Sequence, residues 1–485
     1  MTDEVLSEKG HEVGNDDTPA TLVPNAFHLP TEDGMSKGPV CINSSGPPKL
    51  SCKFFENKMV WEYNPWTCDY EAKWKIDPSI EVITELARNH YELCSLPNED
   101  INVEFLAEGS FNKVYTVSSK DKTTGAAHEC IFRCSLPSAP WYKTQSEVAT
   151  MEFVRKYTKI PVPKVFVFDS SMDNALGLEW MMMEKINGKM FGDVEEGLDF
   201  DAKVRLYRQV AEWIDELSRI RFDKIGALYH NWSLPLSNKS SFKIGPLSIS
   251  DFNADLRLDY PINRGPFASF EEYYNAHISV YLYEALDPRH KARVEAWKKQ
   301  DEMEEAGEEI KEEVPETRHT LKGLARTPQL CLALQSVLPT VLKGKQLSPD
   351  STRLHHFDIA KRNILVDDRG HPVALIDWEI SWATIPHKIP RYPPLIIDEE
   401  AEEPERWELE EEKDESRLEE EKAWEETLLR REFDKRLQEL ASPHLETGSE
   451  PDVELNELDK TVNALYSMEN FSYIERKQEE MRKLF

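Results

Sequence analysis

Asp358, Asn363 and Asp377 are the residues of this chain whose types and spacing could do chemistry. Asp358 comes two residues after His356, and Asn363 lies five residues further on, at the end of a short polar loop. Ile364, Leu365 and Val366 then read as a buried strand. Asp367-Asp368-Arg369-Gly370 is made of turn formers, and a second apolar run, Val373 to Ile376, delivers Asp377. A hairpin of this kind sets its strands side by side, so Asn363 at the start of one lies near Asp377 at the end of the other. Hard cations such as Mg²⁺ take carboxylate and amide oxygens, with one or two protein ligands completed by phosphate oxygens. An Asp on the preceding loop is then placed to accept a proton from a hydroxyl nucleophile, the division of labour in a phosphoryl-transfer site. The ordinary alternative is a plain buried hairpin with an Asp at each end. Three polar residues at this spacing, together with the partners described below, argue against it.

His356-x-Asp358-x4-Asn363 followed by Ile376-Asp377-Trp378-Glu379 resembles the aminoglycoside phosphotransferase family of the protein-kinase-like superfamily, and within it the fungal branch. The resemblance implies a bilobal α+β fold. It has an antiparallel N-lobe of five strands and one helix, a mainly helical C-lobe, and acidic C-terminal helices. It further implies transfer of the γ-phosphoryl of ATP (or GTP) to a hydroxyl of a small molecule, with Asp358 as base and Asn363 and Asp377 as Mg²⁺ ligands. Glu108-Gly109-Ser110-Phe111-Asn112-Lys113-Val114 is similar to the fungal phosphate loop, which would set Gly109 and Ser110 over the nucleotide, with one glycine instead of the usual three. Arg133 stands where kinases carry a phosphate-binding Lys, and Glu147 on the next helix would be its carboxylate partner. Glu179 to Gly188 ends at the hinge, where backbone groups around Glu184 would meet adenine. Three further readings stay open, one of them a scaffold working through the acidic helical tail. A catalytically weak pseudokinase or nucleotide-binding interaction module is favoured by the thin glycine loop and by Arg133. A protein kinase is suggested by the likeness of Asp358-Ile359-Ala360-Lys361-Arg362-Asn363 to a tyrosine-kinase loop. The missing Asp-Phe-Gly, and the six residues between Glu379 and Pro386, argue against that one.

Several elements must position these residues. Apolar residues at helical spacing predict helices through Val82–Tyr91, Val148–Val154, Val204–Leu217, Leu330–Val341, Trp424–Leu440 and Leu455–Leu465. The chain divides into an expected disordered tail over 1–52, an extension packed on the N-lobe over 53–100, an N-lobe over 101–187, a C-lobe over 188–397 and an acidic helical region over 398–485. The loop-rich stretch 238–270 is expected to shape the acceptor pocket, and Lys291 to Glu313 to form a solvated helix or insertion.

Composition sets the class. Ninety acidic against 59 basic residues among 485 give a net charge of −31, which disfavours nucleic acid and anionic membranes as partners. Seven cysteines at scattered positions suggest reduced thiols. The sequence has no run of about 18 apolar residues, and its acidic N-terminus lacks the look of a signal or transit peptide. A cytoplasmic protein is the expectation. The sequence does not identify the acceptor or an oligomeric state.

Overall fold

The computed structural model describes residues 39–43, 46–54, 56–64, 69–94, 97, 100–231, 242–295, 321–348, 350–404, 415–447, 453–463, 465, 476 and 479. The charge-dense run expected from Lys291 lies outside them beyond residue 295, as does most of the tail.

The N-lobe is a mixed sheet built from β1 (Val40–Cys41), β4 (Asn102–Glu108), β5 (Asn112–Lys120), β6 (Ala127–Ser135), β7 (Val165–Asp169) and β8 (Glu179–Glu184), in the order β1-β7-β8-β6-β5-β4. It has six strands where five were expected. The tail expected over 1–52 supplies the sixth, because Val40 and Cys41 pair in parallel with Val167 and Phe168, covering the open edge of β7. Both faces of the sheet are covered. On one, Val117, Phe132, Trp180 and Met182 pack with Ile83 and Ala87 of α1 (Ile80–Asn89). Ser79 caps α1 by accepting a hydrogen bond from the Val82 N–H. On the other, Phe168 and Met181 meet Val148, Met151 and Val154 of α2 (Tyr142–Tyr157). That core runs on without a break into the C-lobe.

Ahead of this sheet, β2 (Met59–Asn64) and β3 (Asp69–Trp74) form a hairpin. Met59 and Ala72 pack with Leu136 of the N-lobe and Leu258 of the C-lobe, so the extension touches both lobes.

The C-lobe is organised on α4 (Phe200–Arg219), which follows β9 (Lys189–Met190) and the single turn α3 (Phe191–Val194). Asp199 caps α4 by accepting from the Ala202 N–H at 2.7 Å, and the helix buries Leu206, Val210, Ile214 and Leu217. Three small sheets lie around it. These are β10 (Arg221–Phe222) with β13 (Thr352–His356) and β16 (Ser381–Thr384); β14 (Ile364–Val366) between β9 and β15 (Pro372–Leu375); and the pair β11 (Ala227–His230) and β12 (Phe242–Gly245). The stretch expected to be loop-rich holds β12, the short helix α5 (Ser250–Asn253) and a 3₁₀ segment, Asp255–Asp259. A second core joins α6 (Phe270–Leu286), α7 (Leu321–Val341) and α9 (Val453–Asn463). The long helix α8 (Glu415–Glu439) lies along α4, burying Leu429, Phe433 and Leu437. Cys41, Cys52, Cys94, Cys130, Cys134 and Cys331 are free thiols. Among the described residues no helix is long and apolar enough to cross a membrane.

Candidate active site

The hairpin that joins Asn363 to Asp377 forms as its sequence dictates. β14 and β15 pair antiparallel with Ile364 opposite Leu375, and the Ile376 N–H donates to the Asn363 carbonyl at 2.9 Å. Asn363 and the residue before Asp377 are thus in direct backbone contact. The preceding loop folds back on itself. The Asn363 amide donates to both the backbone carbonyl and a carboxylate oxygen of Asp358, each at 2.8 Å. Arg362 donates to the two carboxylate oxygens of Asp358 at 2.7 and 2.6 Å. Asp358 is therefore fixed in orientation at the mouth of the site.

Behind it stands His356, fully buried. Its Nδ1 accepts from the Asp358 N–H at 3.1 Å, and its Nε2 lies 3.2 Å from the Ile376 carbonyl. An acceptor at Nδ1 and a donor at Nε2 define the neutral ring, and burial pushes its pKa down to about 4. The imidazole is a strut between the loop of Asp358 and the segment of Asp377.

Asp377 has φ +65°, a left-handed conformation that costs a non-glycine residue about 1–2 kcal/mol. Trp378 holds the turn in place. Its ring is buried against His356 and its indole N–H donates to the Leu375 carbonyl at 2.9 Å. Asp377 Oδ1 is buried and has no hydrogen-bond partner. Burial, with Glu379 and Glu147 close by, raises its carboxyl above the ordinary range, while Lys143 and Arg133 hold Glu379 below it against the cost of its own burial. An orphaned buried carboxyl oxygen beside two further carboxylates is what a divalent cation would satisfy, so the residues fit Mg²⁺. Asp377 would hold it with Asn363, which is the carboxylate-plus-amide set that leaves room for phosphate oxygens. Among the described residues no group of three or more His, Cys, Asp or Glu side chains forms a metal cage.

Between the N-lobe sheet and its helix, Arg133 from β6 and Glu147 from α2 form a buried two-pronged ion pair, Nη1 to Oε1 at 2.7 Å and Nη2 to Oε2. Burial opposes the guanidinium charge, but Glu147, supported by Glu379 and Asp377, more than offsets it and keeps the arginine firmly charged. Gly109 and Ser110 are exposed at the β4–β5 turn, closed by the Gly109 N–H donating to the Asn112 carbonyl at 2.8 Å. Space around Gly109 is open enough for a side chain. At the hinge, the Glu184 N–H is taken by the Lys164 carbonyl, and its carboxylate accepts from the Lys164 N–H at 3.1 Å. The Glu184 side chain is thus engaged within the β7–β8 edge.

Sequence reasoning missed one residue at the N-lobe end of the site. Lys143, one helical turn before Glu147, forms a buried 2.6 Å ion pair with Glu379, and its ammonium also donates to Asn112 Oδ1 at 3.0 Å. Asn112 returns the contact by donating to Glu379 at 2.9 Å. The i, i+4 spacing of Lys143 and Glu147 on one helix face was the available signal. Also unexpected is Lys361 of the catalytic loop. It pairs with Glu195 at 2.8 Å and with Glu426 of α8 at 2.7 Å.

The model of the phosphotransferase enzyme family matches residues 103–387, more than half of the chain. A Subtelomeric hrmA-associated cluster protein of Aspergillus fumigatus is 35% identical over 167 residues, covering 33% of this chain and 32% of the relative. Altered inheritance of mitochondria protein 9, mitochondrial, of Saccharomyces cerevisiae is 26% identical over 318 residues, covering 58% of this chain and 48% of the relative. The matches thus span a third to a half of those relatives' lengths. A solved structure of a thermostable mutant of aminoglycoside phosphotransferase APH(4)-Ia, in ternary complex with AMP-PNP and hygromycin B, aligns over 81% of this chain and 95% of its own. Its identity is 12% and its TM-score 0.35.

Proposed function

This chain belongs to the phosphotransferase enzyme family, and from that premise we propose that it moves the γ-phosphoryl group of ATP to a hydroxyl of a small molecule. The observation that carries the reading is the pairing of a clamped carboxylate with an orphaned one. Asp358 is oriented by Asn363 and Arg362, and Asn363 is bonded through its backbone to the residue before Asp377, whose buried oxygen has no partner. In this reading Asp358 accepts the proton of the attacking hydroxyl as its oxygen bonds to the γ-phosphorus, while the bond from that phosphorus to the β–γ bridging oxygen breaks and ADP leaves with the electron pair. Asn363 and Asp377 are the residues that would hold Mg²⁺, which would supply charge neutralisation on the phosphates. Arg133, braced by Glu147, anchors the nucleotide end, with Gly109 and Ser110 over the phosphates and the backbone near Glu184 at the adenine. The short link from Glu379 to Pro386 leaves too little chain for a peptide-binding platform, which favours a compact acceptor.

The test is purified protein with labelled ATP, Mg²⁺ and a panel of alcohols, sugars and lipid head groups, run beside two variants. Asp377→Ala is expected to abolish Mg²⁺-dependent nucleotide binding. Asp358→Asn is expected to keep binding and lose turnover by about 10²-fold or more. Equal loss of binding in both variants would overturn the roles. Label found only on protein would make it a protein kinase, and tight ATP binding with no labelled product would make it a pseudokinase. The free thiols and the acidic charge support a cytoplasmic location. The mitochondrial label on the yeast relative's name makes mitochondria the competing one, and imaging of a tagged chain decides between them.

A further inference from the structure

Arg133 and Lys143 are both buried at the N-lobe end of the site, and only Arg133 belongs to the pair expected there. Arg133 turns both Nη atoms to Glu147. Lys143 stands apart from that pair, and each of its contacts lies on a segment that the phosphotransferase reading assigns to the nucleotide's phosphates or to the metal. Its ammonium is 3.0 Å from Asn112 Oδ1 and 5.8 Å from the centre of the Phe111 ring, both on the β4–β5 phosphate loop. It lies 2.6 Å from Glu379, two residues after Asp377. Lys143 and Glu379 are each only 7% exposed in their side chains, so the contact is not a solvated surface pair.

We infer that Lys143 is a nucleotide-binding residue, the cation that receives the terminal phosphates of ATP, with Glu379 as the anion that occupies it when no nucleotide is bound. The inference rests on the phosphotransferase reading and adds a residue to it. The chemistry of the contacts supports it in three ways. An ammonium has three donors on a flexible stem and can pass from a carboxylate to a phosphate oxygen without a planar geometry to satisfy, unlike the Arg133 fork. The cluster around it is one negative charge in excess when all its groups are ionised, with Glu147, Asp377 and Glu379 set against Arg133 and Lys143. A phosphate arriving beside Lys143 offers its ammonium a second anion to share with Glu379. Asn112 bridges the two arrangements, since its amide donates to Glu379 while its carbonyl oxygen accepts from Lys143 and, at 2.8 Å, from Ser135. The division of labour is then Arg133 as the fixed brace between β6 and α2, and Lys143 as the phosphate contact.

The experiment compares Mg²⁺-ATP and adenosine binding to the full chain by calorimetry and ligand-observed NMR. Lys143→Met leaves Glu379 buried without its partner, so Lys143→Met/Glu379→Gln is made beside it to remove both charges. The expected result is a loss of Mg²⁺-ATP affinity of roughly ten- to a hundredfold in both variants, with adenosine affinity changed less than about twofold. A double variant that binds Mg²⁺-ATP as wild type does overturns the inference and leaves the phosphotransferase reading standing. An equal loss for ATP and adenosine reduces Lys143 to a structural role and overturns the inference as well. A wild-type chain that binds no nucleotide overturns both.

Discussion

His356 shows how one side chain's protonation can govern the site. The ring links the two halves of the hairpin only while neutral, because protonating Nδ1 turns the acceptor for the Asp358 N–H into a donor facing a donor. Its folded pKa, about 4, is depressed from an unfolded value of about 6.5. In the window between these values the unfolded chain binds the proton and the folded chain does not. Its contribution to stability is therefore fully present above about 6.5 and is lost as pH falls toward 4. The shift corresponds to about 3 kcal/mol. His355 and His444, also depressed by burial, act in the same direction. We expect stability, measured by urea unfolding, to fall between pH 6.5 and 4. His356→Asn, which keeps an acceptor for the Asp358 N–H but has nothing to protonate, should flatten that fall and cost turnover at neutral pH. An unchanged acid profile in the variant would remove His356 as its source.

At the scale of elements, α8 is the piece whose role exceeds its composition. Its outer face is acidic, but Leu429, Phe433 and Leu437 lie in the main core against α4. Ion pairs line the seam, with Arg208 reaching Glu432 and Glu439, and Arg436 reaching Glu212. Surface pairs of this kind contribute little each, so the apolar stripe carries the docking. Phe433→Ala should cost about 3–5 kcal/mol, read as a lower unfolding midpoint. The helix also reaches the catalytic loop, since Glu426 accepts from Lys361 and, at 2.9 Å, from the Tyr207 hydroxyl. Glu426→Gln is thus expected to lower turnover while nucleotide affinity holds, and a variant with wild-type kinetics would show that α8 only stabilises.

Over the whole molecule, the stretch before the N-lobe joins the two lobes. Trp61 and Trp74 pack beside Phe111 of the phosphate loop, in the cluster that includes Leu258 of the C-lobe. At its other end the Cys52 N–H donates to Asp259 at 3.0 Å, and Arg289 holds the same carboxylate. Burial works against the Asp259 charge, yet these bonds keep its carboxyl well below the ordinary range. This stretch is therefore fastened both to the β4–β5 turn and to the C-lobe. Asp259→Ala should therefore speed amide hydrogen exchange in the β2–β3 hairpin and in residues 109–112, and weaken nucleotide binding. Exchange that changes only around residue 259 would show the stretch to be fastened elsewhere.

Much of this was legible along the chain. The hairpin of Asn363 and Asp377 follows from two apolar runs and a turn. The pairing of Arg133 with Glu147 was implied by the resemblance to kinases, whereas the α8 stripe follows from helical periodicity. The hairpin and the stripe are local patterns, and local patterns report backbone conformation and which face is buried. Periodicity could not report which polar partners converge from distant segments. Lys143 is 236 positions from Glu379 in sequence, and Lys361 meets Glu426 on a helix whose periodicity reports its apolar stripe but not the partner of any one of its acids. The strand Val40–Cys41, too short and too polar in its surroundings to show any period, exists because β7 leaves an edge to be paired. Tertiary structure alone decided which carboxyl is left without a partner. Glu147 and Glu379 are neutralised by cations arriving from other elements and Asp377 is not, and that difference depends on distances across the fold.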